Sequence, residues 1–256
     1  MDFPKDLVYF ASSLKSKNFW RIQLNNVRHK LYDGSPKYSW SQCAEDIVLY
    51  SLLGGRRKGF YLDLGAHDPT IISVTKLFYD IGWSGVNIEA NPDKLKVLKK
   101  VRTRDLNLNY AIGKKSTYKL FIMSASSMST VNSRALRNLK KGGRTHVEEV
   151  ISVKGITLKT ILKEYCLSPV DFLNIDIEGQ DYEALRSAEF EILDFDLWPL
   201  WIMVENQMPI KNTLHLSSVN YLKAIGYEMY CILPHVVIFR KPNRKKIRKV
   251  NYKGIK

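Results

Sequence analysis

Gly59-Phe60-Tyr61-Leu62-Asp63-Leu64-Gly65-Ala66-His67 decides the fold of this chain. A short apolar run ends in an acid and a glycine, and the chain then turns polar through Asp68-Pro69-Thr70. A run of this length bounded by turn residues reads as a strand buried on both faces, as in a parallel sheet. Downstream, runs of the same kind alternate with longer helical stretches, which predicts an α/β fold with crossover helices. Strands are expected over 60–64, 84–89, 106–111, 172–176, 201–205, 227–232 and 235–240, with a further one over 119–123. Only Leu233-Pro234 separates the last two of the main series, so they should form an antiparallel hairpin at a sheet edge. The expectation is a sheet of about seven strands, mostly parallel with an antiparallel C-terminal hairpin. Helices are expected over 41–53, 73–81, 92–101, 157–165, 182–187 and 217–225. The stretch 124–143 is Ser-rich and then basic, and reads as an excursion over the carboxyl edge of the sheet.

The chain has 256 residues, enough for one sizeable core with appendages. Its charge of +15 is concentrated at the ends: residues 240–256 hold nine basic residues and no acid, and residues 1–40 hold seven against three. Between them the balance is 24 basic to 22 acidic. The basic character is therefore mostly that of a tail, not of a charged face on the folded unit. The domains expected are an N-terminal helical extension over 1–40, a main domain over 41–240 and a basic tail over 241–256. Cys43, Cys166 and Cys231 form no metal or disulfide pattern, which points to a reducing, cytoplasmic setting. No apolar run is long enough to span a bilayer, and the first residues do not read as a signal peptide.

In a parallel sheet, ligands bind beyond the carboxyl ends of the strands, where Asp63 and Gly65 lie. The dinucleotide loop GxGxxG would bring several amides to a pyrophosphate, but Gly65 is followed by Ala66-His67-Asp68-Pro69. The pyrophosphate cradle is missing. Glu89 ends the second strand 24 residues past Gly65, near the spacing at which a carboxylate takes both hydroxyls of a ribose. A nucleoside without phosphates satisfies both facts, and S-adenosylmethionine, with its amino acid end and sulfonium, suits acids around a glycine turn. Alone, either acid also reads as a helix cap or a solvated strand end.

Five segments resemble the FkbM-type S-adenosylmethionine-dependent methyltransferases, which are similar in fold to other class I methyltransferases with a Rossmann-like sheet. They are Ser41-Gln42-Cys43-Ala44-Glu45-Asp46, Gly59 to His67, Gly82-Trp83-Ser84-Gly85-Val86-Asn87-Ile88-Glu89-Ala90-Asn91-Pro92, Asn109-Tyr110-Ala111-Ile112-Gly113, and Asn174-Ile175-Asp176-Ile177-Glu178-Gly179. They span roughly 41–240, and one departure is Ala44, where the family usually has glycine. The resemblance implies an O-methyltransferase acting on sugar hydroxyls of glycans or glycosylated products. It would place Asp63, Gly65 and Ala66 at the methionine end of the donor, Glu89-Ala90 at the ribose, and Asn109 to Ala111 at the adenine. Gln42 and Glu45 would close the pocket from the first helix.

The reaction side falls to the later strand ends. Asp176 ends one and Glu205-Asn206 another, offering hard oxygen ligands suited to Mg²⁺ or another divalent cation. The set resembles the Asp and Asp-Asn ligands of metal-dependent catechol-type methyltransferases, with Glu205 replacing an Asp. In the other reading Asn206 caps the chain leaving the strand and Asp176 contacts the acceptor. Without a metal a side chain must take the hydroxyl proton, and Asp176, Glu178 and His67 are the candidates, with Asp176 first. His67 also reads as a structural donor, His146 has a weaker case, and His29, His215 and His235 have none.

Arg134, Arg137, Lys140, Lys141 and Arg144 recur at helical spacing. They read as a solvated face, or more sharply as a site for an acidic or phosphorylated glycan. The terminal run from Arg240 could hold the protein to an anionic membrane surface, and its lack of interleaved aromatics argues against sequence-specific nucleic-acid recognition. A homodimer would give the aromatics of the first forty residues a place to pack. An RNA acceptor and a non-catalytic nucleoside-binding module stand as alternatives to the sugar acceptor.

Overall fold

The computed structural model describes residues 38–142, 145–206 and 210–244. The expected extension, apart from Tyr38 to Trp40, lies outside the described residues, as do His29, Arg144 and the tail from 245 onward. The chain opens into helix α1 (Glu45–Leu52), strand β1 (Phe60–Leu64), α2 (Val74–Asp80), β2 (Ser84–Ile88), α3 (Pro92–Val101) and β3 (Leu106–Leu108). It continues with β4 (Ala111–Ile112), β5 (Thr117–Met123), α4 (Ser133–Lys141) and β6 (Val147–Ile156). Then come α5 (Leu158–Thr160), extended by a wider turn over Ile161–Tyr165, β7 (Phe172–Ile175), α6 (Asp181–Ser187) and β8 (Trp201–Glu205). The last elements are α7 (Ser217–Ala224), β9 (Glu228–Ile232) and β10 (Val236–Arg240).

Seven strands form one sheet in the order β3-β2-β1-β7-β8-β10-β9. The first five run parallel, and β10 is antiparallel to both β8 and β9. The order reverses between β1 and β7, so a cleft opens beyond the ends of those two strands. Side chains alternate across the sheet. Tyr61, Phe172, Met203 and Ile238 face α1 and α2, where Phe78 and Trp83 complete an aromatic cluster. Leu62, Leu173, Val204 and Val237 face the other way, against Leu158, Leu185 and Leu222 of α5, α6 and α7.

A buried polar rung crosses four of the parallel strands just below their ends. Asn107, Asn87, Asp63 and Asn174 are paired neighbours in register. Asn174 Nδ2 donates to Asp63 Oδ1 at 2.9 Å, and Thr75 Oγ1 donates to Asp63 Oδ2 at 2.9 Å. Asn87 Nδ2 donates to Asp105 Oδ2 at 3.0 Å and to Asn107 Oδ1 at 2.9 Å. Arg102, 1% exposed, donates to Ser73 Oγ at 2.9 Å and to the carbonyls of Pro69 and Thr75 at 2.9 and 3.3 Å. Buried polar atoms cost several kcal/mol when unpartnered, and this network supplies partners for all of these side chains except Asn87 Oδ1.

Several expectations need correction. The first helix begins at Glu45, not Ser41, because Ala44 sits in the left-handed region at φ 63° and breaks the turn before it. The strand expected over 106–111 is two: β3 stays in the main sheet, and β4 leaves it to pair with β6 in a second sheet of order β4-β6-β5. Strand β6 was not anticipated. It is largely exposed, carries Glu148 and Glu149, and pairs along nearly its whole length with β5 in an antiparallel ribbon. The excursion over 124–143 contains α4. The helix expected over 157–165 is α-helical for only its first turn.

Candidate active site

Strand β1 ends at Leu64, and Gly65 then takes φ 86°, a conformation that favours glycine. A side-chain carbon there would overlap the Asp176 carbonyl oxygen at the end of β7. The absence of a side chain lets the two strand ends meet, and the space beyond them divides into two cavities that share Gly65 and Asp176.

The first cavity is lined by His67, Glu89 and Ala90 on one side and by Tyr110, Ala111 and Ile112 on another. Glu89 is nearly buried, and its two oxygens accept the backbone N–H of His67 at 2.8 Å and of Asn91 at 2.7 Å. Burial pushes its carboxyl up, against the pull of those amides. Asn109 does not line the cavity. Its Nδ2 donates to the carbonyls of Glu89 and Ala90 at 2.7 and 2.9 Å, so it shapes the end of β2.

The roof of this cavity is the excursion after β5. Ser126, Ser127, Ser129, Thr130 and Val131 face into it. Thr130 Oγ1 donates to the Glu178 carbonyl at 2.8 Å and Asn132 Nδ2 to the Gly179 carbonyl at 2.7 Å, clamping the roof to the turn after β7. His67 sits with φ 43° and its Nε2 lies 3.3 Å from Ser126 Oγ. Burial and the nearby Lys94 charge push its imidazole down to about 4, so the ring is neutral at physiological pH.

The second cavity is lined by acids. Glu45, Asp63, Asp176 and Glu205 reach it, together with Gln42 and Ala66. Glu45 Oε2 accepts the Cys43 N–H at 2.8 Å, which fixes the start of α1 against the cleft. Asp63 is held by Asn174 and Thr75, and burial raises its carboxyl. Asp176 has open surface, but that surface faces the cleft and protein hems the group on its other sides. Desolvation, then the charges of Glu205, Asp63 and Glu45, push it up to about 8. Asp181, at the start of α6, is pushed up to about 7 by burial and by Asp176.

Carboxylate oxygens of Asp176, Glu178 and Glu205 all lie within 4.8 Å of one another. Asn206, the expected third member of the Asp176 and Glu205 set, sits differently. It is fully buried, lines neither cavity, and its backbone N–H donates to the His235 carbonyl at 2.8 Å. Adjacent residues of an extended chain point to opposite faces, so Glu205 and Asn206 do not share a cavity. The structure brings in His235 instead. It lies in the turn between β9 and β10 and lines the second cavity beside Glu205. His235 is not visible in local sequence, since it reaches the cleft only through strand pairing, whereas the serine roof lies in the Ser-rich excursion expected over 124–143.

A family model described as the methyltransferase FkbM domain matches residues 63–229. A search of curated proteins finds no match. Among solved structures, the chain is similar to the methyltransferase FkbM from Methylobacillus flagellatus, at 14% identity and a TM-score of 0.42, covering 72% of this chain and 44% of that one. The chain thus spans less than half the length of that protein. A putative O-methyltransferase from Klebsiella pneumoniae is 10% identical with a TM-score of 0.41, covering 93% of this chain and 96% of that one. The O-methyltransferase from Bacillus cereus in complex with SAH is 13% identical with a TM-score of 0.39, covering 91% and 96%. The family match begins at Asp63, near the end of β1, and runs into β9, so it includes Gly65, Glu89, Asp176 and Glu205 but not Gln42, Glu45 or His235. On that match, the chain belongs to the FkbM methyltransferase family.

Proposed function

We propose that the protein moves a methyl group from S-adenosylmethionine to a hydroxyl, on a sugar of a glycan or glycosylated product. The observation that carries this reading is the pair of cavities joined at Gly65 and Asp176. The first offers a fixed carboxylate, Glu89, with oxygen lone pairs for a ribose diol, and apolar walls from Ile112, Leu120 and Val131 for a flat base. The second offers acids to a ligand that carries an ammonium and a sulfonium. When ionised together, Asp63, Asp176 and Glu205 repel one another, and positive charge in the cavity relieves that repulsion.

The donor, when bound, supplies the methyl group on a positively charged sulfur. The chain's part is to place an acceptor hydroxyl in line with it and to accept the proton. We assign that role to Asp176, Glu178 and Glu205, whose carboxylate oxygens lie within 4.8 Å of one another. The same three carboxylates have the oxygen chemistry to hold Mg²⁺, which would polarise the acceptor hydroxyl. Titrating Mg²⁺ by calorimetry with and without S-adenosylhomocysteine reads that arrangement.

The test of the function is transfer of labelled methyl from S-adenosylmethionine to a panel of glycosides, run beside calorimetric titration with S-adenosylhomocysteine. Binding lost in Glu89→Ala, with label on a sugar oxygen, supports the reading. A folded protein that binds no S-adenosylhomocysteine sinks it.

A further inference from the structure

The near-neutral average of the main domain conceals a segregation of charge. Residues 114–159, which build β5, the roof, α4 and β6, hold ten basic residues and two acidic ones. The rest of 41–239 holds 14 basic and 20 acidic. The sheet body is acidic, and the unit that roofs its cleft is basic.

Within that unit the charge is ordered. In α4, Leu136 is buried and Ala135 abuts Gly179, which fixes the inward face. Arg134, Arg137 and Lys141 follow at steps of three and four, so they form one stripe on the opposite face, and all three are exposed. Some surface cations have acidic partners, as in Arg56–Asp171, Lys76–Asp80 and Lys159–Glu189, and others, such as Lys99, Lys100 and Lys119, stand singly without one among the described residues. The three of the stripe have none among the described residues. Thr130 and Asn132, just before α4, are bonded to the carbonyls of Glu178 and Gly179. The stripe and the reacting carboxylates are therefore parts of one fixed assembly.

We propose that the outer face of α4 is a docking surface for an anionic saccharide chain, one whose sugars carry carboxylate or phosphate and whose reacting end lies in the cleft. The proposal rests on the glycan reading above and narrows its acceptor class. Three unpaired cations in a row match a ligand with repeated negative charge. Helix α4 is about 14 Å long at 1.5 Å per residue, so a ligand that lies along it and reaches Asp176 spans several sugar units. The α4 sequence, SRALRNLKK, has no aromatic on which bases could stack, which disfavours RNA. Its outer face has no apolar side chain to insert among lipids, which disfavours a membrane.

The test measures binding of an oligogalacturonate to the full chain, with a neutral maltooligosaccharide, a short RNA and phosphatidylglycerol vesicles as comparison arms. The oligogalacturonate should bind, the neutral oligomer should not, and affinity should fall with salt. Reversing the stripe with Arg134→Glu, Arg137→Glu and Lys141→Glu should lower affinity by about tenfold or more. The same number of reversals in the tail, Lys245→Glu, Lys246→Glu and Lys249→Glu, should leave it unchanged. Arg137→Ala alone should give a smaller loss, which guards against misfolding of the triple variant. Absence of oligogalacturonate binding, indifference to the stripe reversal, loss on the tail reversal, or tighter binding of RNA or vesicles through the stripe would overturn the proposal. S-adenosylhomocysteine titration of the same samples separates the two readings, because the donor cavity contains none of the stripe residues.

Discussion

The Glu89 carboxylate accepts the His67 backbone N–H at 2.8 Å, so the acid that ends β2 holds the loop leaving β1. Its other oxygen accepts the Asn91 N–H at 2.7 Å. Both oxygens are thereby fixed, with lone pairs left over for the cavity. Glu89→Ala removes the carboxylate proposed to hold the ribose and strands two amides. S-adenosylhomocysteine affinity should fall by about tenfold to a hundredfold, and stability by about 1–3 kcal/mol for each buried amide left unpaired. Glu89→Gln keeps one acceptor oxygen and should fall between. Calorimetry and thermal unfolding of both variants check this, and unaltered affinity in Glu89→Ala would refute the ribose assignment.

Gly65 is the second constraint on the donor site. Alanine there combines a positive φ with overlap against the Asp176 carbonyl. The φ cost alone is about 1–3 kcal/mol, and relief of the overlap must part β1 from β7. Gly65→Ala should lower the unfolding temperature and abolish detectable donor binding together. A variant that binds normally would show that the two strand ends have more freedom than their contact implies.

Asp176 should make stability depend on pH with a definite sign. Its folded value, about 8, lies above the unfolded value near 4, so the native state holds the extra proton between them. Its contribution is fully present below about pH 4 and is lost as pH rises through about 8. Asp176→Asn removes the charge, so its stability gain over the wild type should be largest near pH 8 and shrink toward pH 5. A cationic donor favours ionised Asp176, so S-adenosylmethionine should tighten between pH 6 and about 8 more than the neutral S-adenosylhomocysteine does. Melting curves and titrations across that range read both effects, and parallel pH profiles for the two ligands would count against Asp176 facing the sulfonium.

Arg102 lies outside both cavities but braces the second. Its guanidinium holds Pro69, Ser73 and Thr75, and Thr75 in turn holds Asp63. Arg102→Met leaves Asp105, also buried, without its nearest cation and should destabilise by about 3–5 kcal/mol. Denaturant unfolding gives the number directly, and a loss below 1 kcal/mol would mean the network repacks around the methionine.

The parts legible in sequence are those where one strand determines its own surroundings. Strand β1 is central and buried on both faces, so it reads as an apolar run, and Asp63 and Gly65 mark its end. Glu89 follows from the same pattern one strand later. Strand β6 was hidden because its pairing with β5 leaves most of it exposed, and Glu148-Glu149 looks like a loop. Arg102 and Asn87 look like ordinary polar residues until the strands are laid side by side. Asn206 was placed beside Glu205 by adjacency in sequence, whereas the alternation of an extended chain turns it into the interior. His235 gives no local signal for the converse reason, since the antiparallel pairing that sets Val236 opposite Glu205 is what brings His235 to the same cavity.

That placement gives His235 a testable role. Its carbonyl is held by the Asn206 N–H at 2.8 Å, so the backbone is fixed, while the exposed imidazole borders the cavity that holds Asp176 and Glu205. In methyl transfer the acceptor O–H bond breaks, an O–CH₃ bond forms, and the S–CH₃ bonding pair returns to sulfur. The released proton needs an acceptor. His67 is badly placed for this, being half-buried beside the first cavity with its ring neutral and within 3.3 Å of Ser126 Oγ. If His235 takes the proton, His235→Ala should lower methyl transfer to the glycoside acceptor by about a hundredfold or more, the usual contribution of a general base. S-adenosylhomocysteine affinity should hold. His235→Gln, which can hydrogen-bond the hydroxyl but cannot serve as the base, should recover KM without recovering kcat. Label-transfer kinetics on the three proteins decide the matter: unchanged kcat in His235→Ala would return the role to the carboxylates.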